Sequence, residues 1–184
     1  TPAGRLRTGL INLQLDAYRD PTRALAEALE DERMTAASTF FEGNGDQAGL
    51  WTCAQVTASL HRCHGDPREA AARFDDLGTL ARSQGRTLDE ATTLHAAAEA
   101  RVRAGDHVSA EAFDAIEAGS AGSPLLRVRV SCLRAEAALL GGAVDDADHH
   151  LARARETIDA LPDGYPSGET LWLDAACRIA VARG

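Results

Sequence analysis

Glycines at three positions of the segment Gly43–Gly49 could cradle a phosphate, because backbone N–H groups approach an anion closely where side chains are absent. A dinucleotide-binding fingerprint also needs a preceding strand and a glycine at position 48. Ala48 stands there instead, and Phe40-Phe41 closes a helical pattern. The segment therefore predicts a turn between two helices, without a nucleotide site.

His61, Cys63 and His64 are side chains that could bind a metal, and the two histidines lie one helical turn apart. A structural zinc site needs further ligands, and no matching pair follows nearby in the sequence. His64 also closes a helical pattern, where a cation interacts favourably with the helix dipole. We therefore expect a structural role for these residues, no metal and no cofactor.

Asp145, Asp146, His149 and His150 form two carboxylate–imidazole pairs at i,i+4 spacing. On a helix such pairs are typical of a solvated acidic face, which is the prediction here. The chain has no Gly-x-Ser-x-Gly sequence, no His-Glu-x-x-His sequence and no cysteine with a recognisable base. We therefore expect a protein without catalytic activity.

Charge and composition restrict the partners of this chain. The formal net charge is −9 and all 19 cations are arginines, so direct contact with nucleic acid is not expected. No stretch has the roughly 20 apolar residues of a membrane span, and the N-terminus lacks a secretory-signal pattern. We expect a cytoplasmic protein without membrane contact, whose four cysteines stay reduced within helices.

Helices must position these side chains. The chain has 37 alanines against 8 aromatic residues, and apolar residues recur at three- and four-residue spacing between clusters of Gly, Pro and Asp. This pattern predicts an all-α protein of about nine helices. The predicted ranges are 4–19, 21–42, 46–64, 66–83, 87–104, 106–118, 124–141, 143–161 and 168–183.

Residue types mark where these helices start and stop. Asp20, Asp66 and Ser123 each precede a proline and can act as N-caps, and Thr87 with Glu90 has the spacing of a capping box. Glycine enters the left-handed backbone region at little cost, which predicts helix ends at four glycines. These are Gly65, Gly105, Gly142 and Gly184.

The four glycines also define an internal repeat, because they are spaced 40, 37 and 42 residues apart. A small side chain lies seven residues before each glycine, where two helices can cross closely. These small residues are Ala58, Ala98, Ala135 and Cys177. An alanine lies five residues after each of the first three glycines and after Arg19, at Ala70, Ala110, Ala147 and Ala24. Each unit is therefore predicted to be a helical hairpin.

Two segments carry a family resemblance. Gly65–Leu77 and Gly142–Ala154 share the alanine five residues after the glycine and apolar anchors on the next two turns, and they resemble the second half of tetratricopeptide repeats. The period exceeds the usual roughly 34 residues. It is similar to the longer repeats in sensor regions of MalT-like, large LuxR-type bacterial regulators. The resemblance implies one domain over 1–184, folded as a right-handed superhelix (a TPR-like α-solenoid) with antiparallel hairpins at about 4–42, 46–83, 87–118 and 124–161 and a final helix at 168–183.

The resemblance further implies that the first helix of each hairpin lines a concave wall. Helical spacing then selects residues about ten, six and three positions before each turn glycine. The selected residues are Gln55, Ser59, Arg62, His95, Glu99, Val102, Cys132, Glu136, Leu139, Asp174, Arg178 and Val181, with Arg103 and Arg129 at the border. A peptide or ligand groove has this mixture of charged and small side chains, and a solvated face with incidental i,i+4 pairs is the alternative.

On the same resemblance we expect a non-catalytic protein-interaction or ligand-sensing module, in the sensor part of an actinobacterial transcription regulator. Its partner would be a protein or peptide, and a small-molecule effector and a homodimer are further expectations. A stand-alone adaptor or dimerisation scaffold is the alternative, followed by a helical enzyme that binds a small molecule. The chain lacks an initiator methionine and its last residues still follow a helical pattern, so we expect a fragment of a longer protein.

Overall fold

The computed structural model of the chain describes residues 1–20, 22–161 and 165–183, and within these ranges it has ten helices and no strand. The all-α prediction is confirmed. The helices are α1 (Pro2–Arg19), α2 (Leu25–Leu29), α3 (Glu32–Gly43), α4 (Gln47–His64), α5 (Pro67–Ser83), α6 (Thr87–Arg103), α7 (Ala110–Gly119), α8 (Pro124–Leu140), α9 (Val144–Asp159) and α10 (Pro166–Arg183). Every described helix is too short or too polar to cross a lipid bilayer.

The prediction of one helix over 21–42, and with it the total of nine, is wrong. Asp20 ends α1 as its C-cap, Pro21 lies outside the described residues, and two helices, α2 and α3, follow. The second of them starts directly after Asp31, whose Oδ1 accepts the backbone N–H of Arg33 at 3.0 Å. An aspartate N-cap therefore begins a new helix inside a segment whose apolar spacing had indicated a continuous one.

Side-chain caps confirm two of the predicted helix starts. Asp66 Oδ1 accepts the backbone N–H two residues later at 2.8 Å, and Ser123 Oγ accepts the one three residues later at 3.3 Å. The predicted capping box is wrong, because Thr87 is already the first residue of α6. Glu90 instead forms an ion pair with Arg82, whose Nε lies 2.6 Å from Glu90 Oε1.

The glycine stops divide into two kinds. Gly105 and Gly142 have φ values of 75° and 77°, so the predicted left-handed helix ends are confirmed there. Gly65 has a φ of −125°, and the prediction of a left-handed residue is wrong. A Cβ at Gly65 would lie 2.7 Å from Leu25 Cδ2, so this glycine admits the close approach of α2. Gly184 lies outside the described residues.

Two compact units make up the chain, residues 1–77 and residues 78–184, and the division falls within α5. In the first unit α1 packs against α3 and α4, and α3 packs against α4. The core of this unit includes Leu10, Leu13, Ala28, Ala37, Phe41, Val56 and Leu60. Apolar residues at helical spacing on each helix build this core.

In the second unit α8 is the central helix and packs against α6, α7, α9 and α10. Two apolar faces make this position possible. Leu126, Val130 and Leu133 join a cluster with residues of α6 and α7, whereas Val128, Cys132 and Ala135 join a cluster with residues of α9 and α10. Ser131 is a buried polar residue of α8, whereas the charged residues of this helix stay at least partly exposed.

The exposure of the small residues confirms part of the predicted repeat. Of the small residues predicted at helix crossings, Ala58, Ala98 and Ala135 are buried, but Cys177 is exposed because α10 packs through Ala175 and Ile179. Of the alanines predicted five residues after a turn, Ala70 and Ala147 are buried, whereas Ala24 and Ala110 are exposed. Neither exposed alanine has a full helical turn before it, because Ala24 precedes α2 and Ala110 begins α7.

Candidate functional site

The predicted wall residues of the second unit come together on α6, α8 and α10. We call five of them the charged stripe, namely Glu99 and Arg103 on α6, Glu136 on α8, and Asp174 and Arg178 on α10. Because α8 packs against both α6 and α10, its Glu136 lies between the other two pairs. These five residues therefore lie near one another within this unit.

Ion pairs connect the stripe along and between helices. Arg178 Nη2 lies 2.7 Å from Asp174 Oδ2 on the same helix, and Arg178 Nη1 lies 3.4 Å from Glu136 Oε1 on α8. On α6, Arg103 Nη2 lies 3.0 Å from Glu99 Oε1. The stripe thus carries three carboxylates and two guanidiniums.

Glu136 and Glu99 are the two more buried carboxylates of the stripe. The side chain of Glu136 is 24% exposed and that of Glu99 is 28% exposed, against 58% for Arg178 and 59% for Asp174. Burial raises the pKa of Glu136, Asp174 and Glu99 raise it further, and Arg178 and Arg103 oppose this by lowering it. A partially desolvated carboxylate with incomplete neutralisation is a strong hydrogen-bond acceptor for a cationic or amide donor.

The side chains of the stripe are charged hydrogen-bond donors and acceptors. The adjacent thiol of Cys132 is buried, and burial, followed by the charges of Glu136 and Asp174, raises its pKa to about 12. A thiol with that pKa is protonated at neutral pH and is a poor nucleophile. The charged side chains, and not this thiol, are therefore the groups of the stripe that can interact with a ligand.

Three predicted wall residues of this unit are buried, namely His95, Val102 and Cys132. The first two are buried because the face of α6 that carries Ala91, His95, Ala98 and Val102 packs into the core. The expectation of an accessible histidine at the centre of the groove is therefore wrong. Arg129 is exposed on α8 and forms no ion pair within the described residues.

In the first unit the predicted wall residues of α4 contribute to packing. Ser59 is buried, and its Oγ accepts a hydrogen bond from Gln14 Nε2 of α1 at 2.9 Å. The guanidinium of Arg62 donates to the hydroxyl of Tyr18 and lies 5.6 Å from the ring centroids of both Tyr18 and Phe74. Gln55 is half-buried. The prediction that these residues line an open groove is wrong for Ser59, because α1 covers it.

Unit 78–184 also has a cavity, which lies among α7, α8, α9 and the turns before α7 and α9. Its volume is about 430 Å³. Val108, Phe113 and Ala137 form an apolar wall, while Arg134 and His150 are among the polar residues that line it. Sequence reasoning missed this cavity, although His150 and Asp146 belong to the paired pattern that was assigned to a solvated face.

The remaining sequence candidates lie in a turn and at a helix end. The segment Gly43–Gly49 joins α3 to α4 as predicted, with Gly45 at a φ of 63°, and Asp46 Oδ1 accepts the backbone N–H of Gly49 at 2.9 Å. His61 and His64 lie in the last turn of α4. Among the described residues there is no group of three or more His, Cys, Asp or Glu side chains placed to hold a metal ion.

No protein-family model, no curated protein and no solved structure matches the chain. Fold and site together define an all-helical protein with a self-paired charged surface on three neighbouring helices.

Proposed function

We propose that the chain is a non-catalytic helical-repeat module of the tetratricopeptide type, which binds a protein or peptide through the charged stripe. We place it in the sensor part of a bacterial transcription regulator on the sequence resemblance alone. The superhelical arrangement is likewise an implication of that resemblance.

The observation that carries the proposal is the position of Glu136. This carboxylate lies on the central helix α8, is shielded from water on most sides and contacts a guanidinium of α10 at 3.4 Å. Arg103 on α6 and Asp174 and Arg178 on α10 stay about half-exposed, so a partner segment can reach them. A partner that brings a cation would complete the charge balance of the stripe, and a row of amide donors would provide hydrogen bonds to its carboxylates. The repeat arrangement of helices gives an extended peptide a surface along which to lie.

Affinity capture from a bacterial extract tests the proposal. The double variant Glu136→Gln/Asp174→Asn removes two stripe charges with little change in side-chain shape, so the helical fold should persist. Capture of a stoichiometric partner by the wild-type chain should fall by about tenfold or more, which corresponds to the loss of a charge-assisted hydrogen bond. Quantitative mass spectrometry of the captured proteins provides the measurement, with circular dichroism to verify folding.

The matched control is Asp76→Asn/Asp145→Asn. It also replaces two carboxylates by amides, so its net charge equals that of the stripe variant. Both residues are exposed, and neither has an ion pair within the described residues. It should capture the partner as well as the wild-type chain does. Equal recovery of every protein by the wild-type, stripe and control chains would contradict the proposal.

A second candidate function, a dimerisation scaffold, is favoured by the outer face of α1. Ile11, Leu15 and Tyr18 are exposed and recur at four- and three-residue spacing, which makes one apolar row. A two-fold dimer can bury such a row against the same row of a second copy. Analytical ultracentrifugation of Leu15→Asp beside Asn12→Asp tests this, because the first variant alone should dissociate the dimer, and a monomeric wild-type chain would contradict it.

A further inference from the structure

The cavity among α7, α8 and α9 combines an apolar wall with polar groups of both signs. Its volume of about 430 Å³ is within the roughly 300–1,000 Å³ range of small-molecule sites. Val108 and Phe113 are buried in its wall, and Leu140 at its edge is 62% exposed. A large aliphatic side chain exposed next to a buried aromatic ring provides an apolar surface that a ligand can cover.

Arg134 is the most buried cation of this cavity, with a side chain only 13% exposed. Its guanidinium lies 5.2 Å from the centroid of the Phe113 ring, its Nη2 is 2.5 Å from Asp114 Oδ1, and its Nε is 3.3 Å from Glu117 Oε1. The ring contact and the Nη2 bond orient the guanidinium, whereas Nε is buried without a hydrogen bond and Nη1 has no acceptor among the described residues. The cavity therefore presents a preorganised donor.

His150 supplies a second donor through its tautomer. Its Nδ1 is shielded from solvent and has no hydrogen-bond partner within the described part of the chain, whereas Nε2 is not shielded in this way. A buried N–H without an acceptor costs more than an unprotonated nitrogen there, so the proton of the neutral ring belongs on Nε2. Burial, followed by Arg134, His149 and Arg153, lowers the pKa of His150, which keeps the ring neutral against the opposing effect of Asp146.

Asp146 gives the cavity its acceptor. It lies one helical turn before His150 on α9 and lines the same cavity, together with Asp106 on the turn before α7. A ligand with a carboxylate alone would be repelled by Asp146, and a ligand with an amine alone would leave Nη1 of Arg134 and Nε2 of His150 without an acceptor. A molecule that carries both a carboxylate and an ammonium group can pair with the donors and with Asp146 at the same time.

We propose that this cavity binds a small zwitterion with an apolar side chain, the chemistry of a free apolar amino acid. The carboxylate accepts hydrogen bonds from Arg134 and the Nε2 of His150, the ammonium group faces Asp146, and the side chain covers Phe113 and Leu140. The proposal uses none of the residues of the charged stripe, so either site can fail in experiment without the other.

A nuclear magnetic resonance titration of the isotope-labelled full chain tests the ligand class. L-Phenylalanine and L-leucine should shift the ring resonances of His150 and the backbone resonances of Val108 and Phe113. N-acetyl-L-phenylalanine, which lacks the cation, and L-phenylalaninamide, which lacks the carboxylate, should each bind about tenfold or more weakly than phenylalanine. Glycine should also bind more weakly, because it has no side chain to cover the apolar wall.

The chain offers a matched pair of variants. Asp146→Asn and His150→Gln should each weaken phenylalanine binding by about tenfold. Asp145→Asn changes the neighbouring residue of the same helix, which does not line the cavity, and should leave binding unchanged. The proposal is overturned if neither amino acid shifts the cavity resonances at millimolar concentration, if the neutralised analogues bind as well as phenylalanine, or if the control variant weakens binding as much as the cavity variants.

Discussion

The two compact units use the same predicted wall positions in opposite ways. On α4 of unit 1–77, Ser59 is buried beneath Gln14 of α1, and Arg62 lies against the rings of Tyr18 and Phe74. On α8 of unit 78–184, the equivalent Glu136 stays on a surface and forms an ion pair with Arg178 of α10. An identical offset from a turn glycine therefore gives a buried packing residue in one unit and an ion-paired surface residue in the other.

What differs is the neighbouring helix. In the first unit α1 approaches the wall of α4 with long side chains such as Gln14 and Tyr18, which cover the polar positions and satisfy them internally. In the second unit α10 approaches α8 through Ala175 and Ile179, while its charged residues lie at the edge of the contact. Function can reside at these positions only where the neighbour leaves them accessible.

The largest effect is expected at Asp31, the most highly connected carboxylate of the first unit. Arg33 donates to both of its oxygens at 2.8 Å, Arg23 donates at 3.1 Å, and Arg33 also reaches Asp16 of α1 at 2.8 Å. Asp31→Ala removes the bonds from Arg23 and Arg33 to this carboxylate and the N-cap of α3, so the free energy of unfolding should fall by about 3 kcal/mol near neutral pH. Urea denaturation measures this loss.

The loss at Asp31 should depend on pH in a defined direction. The hydrogen bonds from Arg33 hold the pKa of Asp31 far below its usual value, so the stabilisation is present above about pH 4 and disappears as the pH falls towards the folded-state pKa. The difference in unfolding free energy between wild type and Asp31→Ala should therefore shrink in acid. A difference that grows as the pH falls would contradict this role of the carboxylate.

A smaller effect is expected from overpacking at one repeat position. Ala70 is fully buried, whereas Ala110, at the same offset from its turn glycine, is exposed. Ala70→Leu should cost about 1–3 kcal/mol of unfolding free energy, because extra methylene groups have no room there. Ala110→Leu should change it by less than about 0.5 kcal/mol, and equal effects of the two substitutions would contradict the assigned burial.

Arginines of the two units provide the next comparison. Arg62→Ala removes contacts with two aromatic rings and should lower the unfolding free energy by about 1–2 kcal/mol. Arg103 is about half-exposed and pairs only along its own helix among the described contacts, so Arg103→Ala should cost about 0.5 kcal/mol or less. A loss at Arg103 as large as that at Arg62 would remove the distinction between packing arginines and surface arginines.

The smallest effect concerns Glu136 and has the opposite pH dependence to that of Asp31. Because burial raises the pKa of Glu136, its protonated form is favoured by folding, and this contribution is lost as the pH rises through the folded-state pKa. The melting temperature of Glu136→Gln relative to wild type should therefore rise between about pH 4 and pH 7, by an amount equivalent to less than about 1 kcal/mol. A relative melting temperature that falls over this range would contradict the direction of the shift.

Local sequence signals predicted most of the helices and several of their ends. Ser123 and Asp66 cap their helices, and Gly105 and Gly142 adopt the left-handed backbone, because these effects depend on atoms within three or four residues. The break at Asp31 was missed because apolar spacing continues across it, and its arginine partners give no periodic signal. The cavity was missed for a related reason, since Arg134 and His150 lie on different helices.

The sequence by itself determined an all-helical chain, the glycine-marked turns, and the burial of Ala58, Ala98 and Ala135, because each follows from local backbone preference and helical periodicity. Tertiary structure decided which wall positions stay accessible. His95 and Glu99 are four residues apart on α6, yet packing buries the first and leaves the second on the charged stripe. Periodicity defines the face of a helix, but the side chains of its neighbours determine where the edge of the buried surface runs across that face.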